Sequence, residues 1–281
     1  MGCKKMKKAC FLIILLMTIF VGASTASAQL DITREPLFRV PDDLTTGLLG
    51  IRSAEDRVFI ANSNGKYLRF DLDTGESFSG KTGSEKISDF DVVLGQLIFI
   101  DENGKLGGHV LPVWPDTPWD ACRIEACDQG LLLFGGDKSF FLARNASTAT
   151  EIDNVNFVLP VPNGFFWSME IRPAGNWGAD LYDCLGNKMS EIYNFAPDFK
   201  PAGVEVGPAG PEGELVVSAF EDGVRRIAFI GNNGRMFWKI DGPEKLSKRD
   251  LAFDKQGDLL VLEKNGKELW LNRWKMAFPE G

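Results

Sequence analysis

Short apolar runs broken by Gly, Asn, Asp or Pro recur along the chain, and past residue 28 no stretch holds the period of a long helix. Three of these runs end alike. Val58-Phe59-Ile60-Ala61 leads into Asn62-Ser63-Asn64-Gly65-Lys66, and Leu97-Ile98-Phe99-Ile100 leads into Asp101-Glu102-Asn103-Gly104-Lys105. Leu259-Leu260-Val261-Leu262 leads into Glu263-Lys264-Asn265-Gly266-Lys267. Asn-Gly between two strand-like runs predicts a hairpin on a type I′ turn, which needs positive φ at both central residues. The first two of these glycines are 39 residues apart and the last two 162, close to four further steps of the same size.

At that period, second strands are predicted at 57–61, 96–100, 130–134, 164–169, 213–219 and 257–262. Inner strands precede them at 47–51, 87–91, 121–125, 156–160, 203–207 and 250–254. Third strands follow at 67–71, 140–144, 179–184, 225–230 and 268–271, and the clearest fourth strand is 236–240. A unit of about 40 residues built from short antiparallel strands is the mark of a β-propeller. The expected fold is therefore all-β: a six-bladed propeller of four-stranded antiparallel blades, with seven blades the alternative. Residues 36–40 are expected to pair with the last blade near 267–278, closing the ring and covering sheet edges that would otherwise stay unpaired. Three segments interrupt the period: the Pro- and Trp-rich 110–120, the hairpin extension 171–178, and the Pro/Ala/Gly-rich connector 194–211.

The first 28 residues change the picture of where the protein works. Lys4, Lys5, Lys7 and Lys8 precede an apolar run over residues 9–21, and Ala26-Ser27-Ala28 supplies a small-residue cleavage pattern. The run is shorter than the about 20 residues a spanning helix needs. Residues 1–28 are read as a cleaved signal peptide and 29–281 as a single propeller domain, exported to a periplasm or secreted, with no stable membrane insertion. Cleavage removes four of 31 basic residues and no acid, leaving 27 basic against 39 acidic, a net charge of −12. That balance opposes nucleic-acid backbones and anionic membrane surfaces.

Cys122, Cys127 and Cys184 remain after cleavage. Export permits a Cys122–Cys127 bridge. If the residues between them form one straight strand, however, the two Cα atoms stand about 16 Å apart and a bridge is ruled out. Buried, unbridged thiols are the alternative.

Leu251-Ala252-Phe253-Asp254-Lys255-Gln256-Gly257-Asp258 followed by Leu259-Leu260-Val261-Leu262 resembles the repeat of NHL-type propellers, and 58–61 with Asn62 and Gly65 is similar to its second half. The resemblance covers the first, second and sixth predicted blades. It extends at a distance to gluconolactonase and senescence-marker propellers. That implies either a binding scaffold or a metal-dependent lactone hydrolase with oxygen and amide ligands at the funnel. Such hydrolases also place a glutamate on the first inner strand; here that strand reads Gly47-Leu48-Leu49-Gly50-Ile51 and has none.

Asn62, Asp101 and Glu263 share a position two residues before Asn-Gly, and Glu170 ends the corresponding predicted strand of the fourth blade. A ring of such oxygens suits Ca²⁺ or another divalent cation, which takes six to eight oxygen ligands. The same side chains also suit turns with no metal at all, and no cofactor is otherwise implied. His109 is the single histidine and stands near no nucleophile motif. Trp114, Trp119 and Trp177 fall in predicted loops beside Arg172 and Asn176, a candidate recognition surface. Trp167, Trp238 and Trp270 fall in strands and read as packing residues. The expected function is a non-catalytic propeller that binds a protein, peptide or glycan through one face. The alternative is a lactonase-type hydrolase with a divalent ion in the funnel.

Overall fold

The computed structural model describes residues 31–108, 121–127, 130–135, 138–144, 146, 148–152, 158–160, 165–171, 177–183, 188–192, 202–210, 215–221, 224–230, 236–241 and 248–277. The larger of two compact units is Arg34–Lys275. Of the smaller unit, the chain ends, only Asp31–Thr33, Met276 and Ala277 are described.

Every sheet is antiparallel where its register is described, and apart from the first strand the sheets follow chain order. After β1 (Asp31–Arg39) and a single helical turn, α1 (Asp42–Thr45), the first sheet holds β2 (Leu48–Ala54), β3 (Arg57–Asn62), β4 (Lys66–Asp71) and β5 (Ser77–Lys81). The second holds β6 (Ile87–Val93), β7 (Gln96–Asp101) and β8 (Leu106–Gly108). The third holds β9 (Arg123–Cys127), β10 (Gly130–Gly135), β11 (Lys138–Ala143) and β12 (Thr150–Ile152). The fourth holds β13 (Val158–Pro160), β14 (Phe165–Ile171), β15 (Trp177–Asp183) and β16 (Lys188–Ile192). The fifth holds β17 (Ala202–Ala209), β18 (Leu215–Glu221), β19 (Val224–Ile230) and β20 (Met236–Asp241). The sixth holds β21 (Leu251–Phe253), β22 (Leu259–Asn265), β23 (Glu268–Ala277) and β1, so the first strand of the chain lies beside the last. The Val40 N–H extends that pairing, donating to the Leu269 carbonyl at 2.8 Å.

The continuous apolar runs have a direct cause: the second strands β3 and β7 are buried on both faces. In β3, Val58 and Ile60 pack with Leu260, Leu262 and Leu271 of the sixth sheet, while Phe59 and Ala61 pack with Phe90, Leu97 and Phe99 of the second. In β7 the alternation repeats, with Ile98 and Ile100 turned toward Ile124, Leu131 and Leu133 of the third sheet. A strand covered on one side alternates apolar with polar; covered on both, it is apolar throughout. Each such side chain contributes about 1.5–3 kcal/mol by burial. The first strands also touch in sequence: β2 with β6, β6 with β9, β9 with β13, β13 with β17, β17 with β21, and β21 with β2.

Two expectations change. The Asn-Gly hairpins are not type I′. Gly65 and Gly104 have φ of 68° and 79°, but Asn64 and Asn103 do not enter the left-handed region. The Gly65 and Gly104 N–H groups donate back to the Asn62 and Asp101 carbonyls, so each loop is an ordinary turn followed by a left-handed glycine. The third copy turns about Gly266-Lys267, two positions later than the first two, because Asn265 still pairs with Glu268. The other change concerns Trp177, which is not in a loop: it opens β15, its backbone paired with Ile171. In addition, the connector expected over 194–211 is shortened by β17, which begins at Ala202.

Candidate functional site

Charge gathers where the first strands of sheets one, two and three meet. Arg52 on β2, Asp89 and Asp91 on β6, and Arg123 and Glu125 on β9 alternate with Ile51, Phe90 and Ile124, each fully buried. On these short strands the apolar residue packs into its own sheet interface. The polar residues at i and i+2 share the opposite face and so look toward the neighbouring first strand.

The two aspartates act as a clamp. Asp89 Oδ2 accepts the Ile124 N–H at 3.1 Å and Asp91 Oδ2 accepts the Ala126 N–H at 2.6 Å, so carboxylates two apart hold amides two apart on the next sheet. Asp91 Oδ1 also accepts the Val92 N–H at 2.7 Å. Arg52 lies between the pair, with Nη2 3.8 Å from Asp89 Oδ1 and Nε 3.7 Å from Asp91 Oδ1, and its guanidinium sits over Phe90. Arg123 places Nε and Nη2 on Glu125 Oε1 at 3.1 and 2.8 Å and covers the ring of Phe134.

Burial pushes Asp91 up to about 7, and the repulsion of Glu125 adds to the rise; Arg52 and the N–H groups of Ala126 and Val92 pull the other way. Asp89 is raised for the same leading reason, with Glu125 adding to it, against Arg52, the Ile124 N–H and Arg249. Burial lowers the Arg52 pKa, but Glu125, Asp89 and Asp91 outweigh it, so its charge is permanent. With three carboxylates against two guanidinium groups in close contact, the cluster favours retention of one proton near neutral pH. On the sixth sheet Asp254, buried, is paired with Arg273 at 3.0 Å while its Oδ1 accepts the N–H groups of Gln256 and Asp258.

Asn62 is buried, and both ends of its amide are used. Oδ1 accepts the N–H groups of Asn64 and Lys66 at 3.2 and 3.1 Å. Nδ2 donates to the carbonyls of Asp43 and Thr46, tying α1 to the hairpin. Asp101 Oδ1 likewise accepts the Asn103 and Lys105 N–H groups. Glu263, by contrast, stays within its strand opposite Trp270, and accepts from Asn272 and the indole N–H of Trp274 while Arg34 stands 3.6 Å away. The shared sequence position of these three is therefore not a shared structural one. Glu170 lies on β14 with its backbone paired to Gly178. Among the described residues, no three His, Cys, Asp or Glu side chains gather to hold a metal.

Trp114, Trp119, Arg172, Asn176 and His109 lie outside the described residues. Trp274 is fully buried, whereas Trp270 is partly exposed and donates to Glu268. Cys122 and Cys127 stand at opposite ends of β9, unbridged to one another, as the straight strand requires. Sequence reasoning missed the charged cluster. Its visible signal is Asp89-Phe90-Asp91 and Arg123-Ile124-Glu125, polar residues two apart on strands otherwise apolar.

No protein-family model matches the chain, and no curated protein sequence does. Solved structures do. A streptogramin B lyase shares 16% identity with a TM-score of 0.53 over 90% of this chain and 99% of its own. The WD40 propeller domain of Doa1 shares 10% identity with a TM-score of 0.53 over 82% of this chain and 79% of its own. A chain of a mitotic checkpoint complex shares 10% identity with a TM-score of 0.53 over 80% of this chain and 74% of its own. A lyase and a WD40 propeller domain are both among these neighbours, so the likeness speaks for architecture alone. Antiparallel sheets, five of four strands and one of three among the described residues, and these neighbours together make the fold a β-propeller.

Proposed function

We propose that the mature chain, 29–281, is an exported six-bladed propeller of the NHL type that works as a binding scaffold. In this reading it takes a protein, peptide or glycan through one face, in a periplasm or outside the cell. Six sheets whose first strands touch in succession, with β1 beside β23, support the blade count and the closed ring. One observation carries the scaffold reading: the charges where the first strands meet are committed to structure. Asp89 and Asp91 hold amides of the next sheet, Arg52 neutralises them, and Glu125 is held by Arg123. The oxygens of Asn62, Asp101 and Glu263 are likewise engaged within their own turns and sheets. Trp114, Trp119, Arg172, Asn176 and Trp177 remain the residues proposed for the ligand face.

Metal analysis of the purified mature protein, with melting followed with and without EDTA, tests this reading. The scaffold predicts no stoichiometric ion and no chelator effect. The competing hydrolase, with Ca²⁺ or another divalent ion near Asn62, Asp101, Glu170 and Glu263, predicts about one ion per chain and a large fall in melting temperature on chelation. That second outcome overturns the scaffold.

A further inference from the structure

Between the first and second sheets, away from the first strands, lies an open cleft of about 280 Å³. Its floor is apolar and buried: Phe59, Leu97 and Phe99, with Tyr67 along one wall. Its charged lining is Arg57, Arg69 and Lys81, and among the described residues no carboxylate lines it. In a chain of formal net charge −8 this is a local reversal of sign.

Glycines open the cleft. Gly80 on β5 lies opposite Tyr67, and Gly107 on β8 lies opposite Phe99; a Cβ at either would run into the facing ring. Without those side chains the rings lie over the outer strands, and the space between the sheets widens outward. The cations are not equally committed. Arg57 has Asp56 at 3.9 Å and pairs in register with Asp71. Arg69 is stacked over exposed Phe78 and Lys81 is exposed; among the described residues neither has a carboxylate within ion-pair distance.

The rim supplies a second, independent observation. The β6–β7 hairpin turns through Leu94-Gly95 with positive φ at both, 51° and 67°, the geometry expected at Asn-Gly and found here instead. Leucine in the left-handed region costs about 1–2 kcal/mol, and Gly, Asn or Asp normally holds this position. The side chain held at that cost is 69% exposed, at the lip of the cleft. Strain that presents an apolar group to solvent points to a role at that surface.

We propose that this cleft binds a small organic anion: a carboxylate carried on a six-membered ring. The ring lies against Tyr67 and Leu94, and the carboxylate faces Arg69 and Lys81, with Thr82 and Gln96 offering neutral hydrogen-bonding groups. The volume suits a small molecule and not a folded partner. This site stands whether or not a propeller face takes a macromolecule.

Calorimetric titration of the purified full chain with 4-hydroxybenzoate and with glucuronate tests it, with 4-hydroxybenzyl alcohol as the uncharged probe. One of the two acids is expected to bind at one per chain, the aromatic acid marking an aromatic ligand and the uronate an acidic sugar. The double variant R69E/K81E should weaken that binding at least about tenfold, with its melting temperature unchanged. Lys264→Glu, an exposed cation on the β22–β23 hairpin, should leave the affinity as it was. Binding by neither acid, equal binding of the alcohol, or an equal loss in Lys264→Glu would overturn the proposal.

Discussion

The first strands and the cleft treat charge in opposite ways. Where β2, β6 and β9 meet, three carboxylates and two guanidinium groups are buried or nearly so, and each has a partner on an adjacent strand or its own. In the cleft between the first and second sheets, Arg69 and Lys81 are exposed, with no acid beside them among the described residues. The difference follows from solvent. A charge inside the stack must be matched because desolvation costs several kcal/mol per ion, whereas an exposed one can stand alone. Unmatched charge at the surface is therefore free to meet a ligand; matched charge inside serves the fold.

The sharpest way to break this contrast is Arg52→Ala. It leaves Asp89 and Asp91 facing each other without their cation, and unfolding by denaturant should show a loss of about 3–5 kcal/mol. A loss below about 1 kcal/mol would mean the cluster is not interdependent. Buried polarity without charge should obey the same rule. Asn62→Asp keeps the acceptor oxygen but ends donation to the Asp43 and Thr46 carbonyls, and is expected to cost about 2–3 kcal/mol by the same measurement. Asp101→Asn, in a half-exposed turn, should cost far less.

The pH dependence sharpens the contrast further. Native Asp91 holds its proton to about 7, against an ordinary value of 3.8. Between these values the folded state binds more protons than the unfolded chain, so stability falls as pH rises and the fall ends above about 7. The slope is up to about 1.4 kcal/mol per pH unit. Denaturant unfolding at pH 5 and pH 7 should show it, and Asp91→Asn should flatten it. A wild-type slope identical to that of the variant would remove Asp91 from the account.

Leu94→Gly relieves the left-handed backbone and should raise stability by up to about 1 kcal/mol while removing the lip of the cleft. Smallest of all, Lys81→Glu should change the unfolding free energy by less than about 0.5 kcal/mol, because nothing inside depends on it. A larger loss would place Lys81 with the matched charges.

Much of the architecture was legible in the chain. Runs such as Leu97-Ile98-Phe99-Ile100 are apolar at every position because both faces are covered, and their spacing follows the sheets. The segment 36–40 was expected beside the last strands, and β1 lies there. The turns were misread because Asn62 and Asp101 side chains cap their own loops, making a left-handed Asn unnecessary. Trp177 was misread because the proline-bearing stretch before it hid the start of β15.

The candidate sites were legible only as fragments. Asp89-Phe90-Asp91 is visible, but its partners are backbone amides 35 residues on and a guanidinium on the preceding sheet. The cleft is less visible still, since it depends on two glycines failing to fill a space that exists only once the sheets stack. Local pattern determined which segments become strands, because backbone pairing and two-sided burial act on neighbouring residues. Tertiary structure decided which charges are matched and which are left to solvent, because that depends on distances between sheets that the order of residues does not contain.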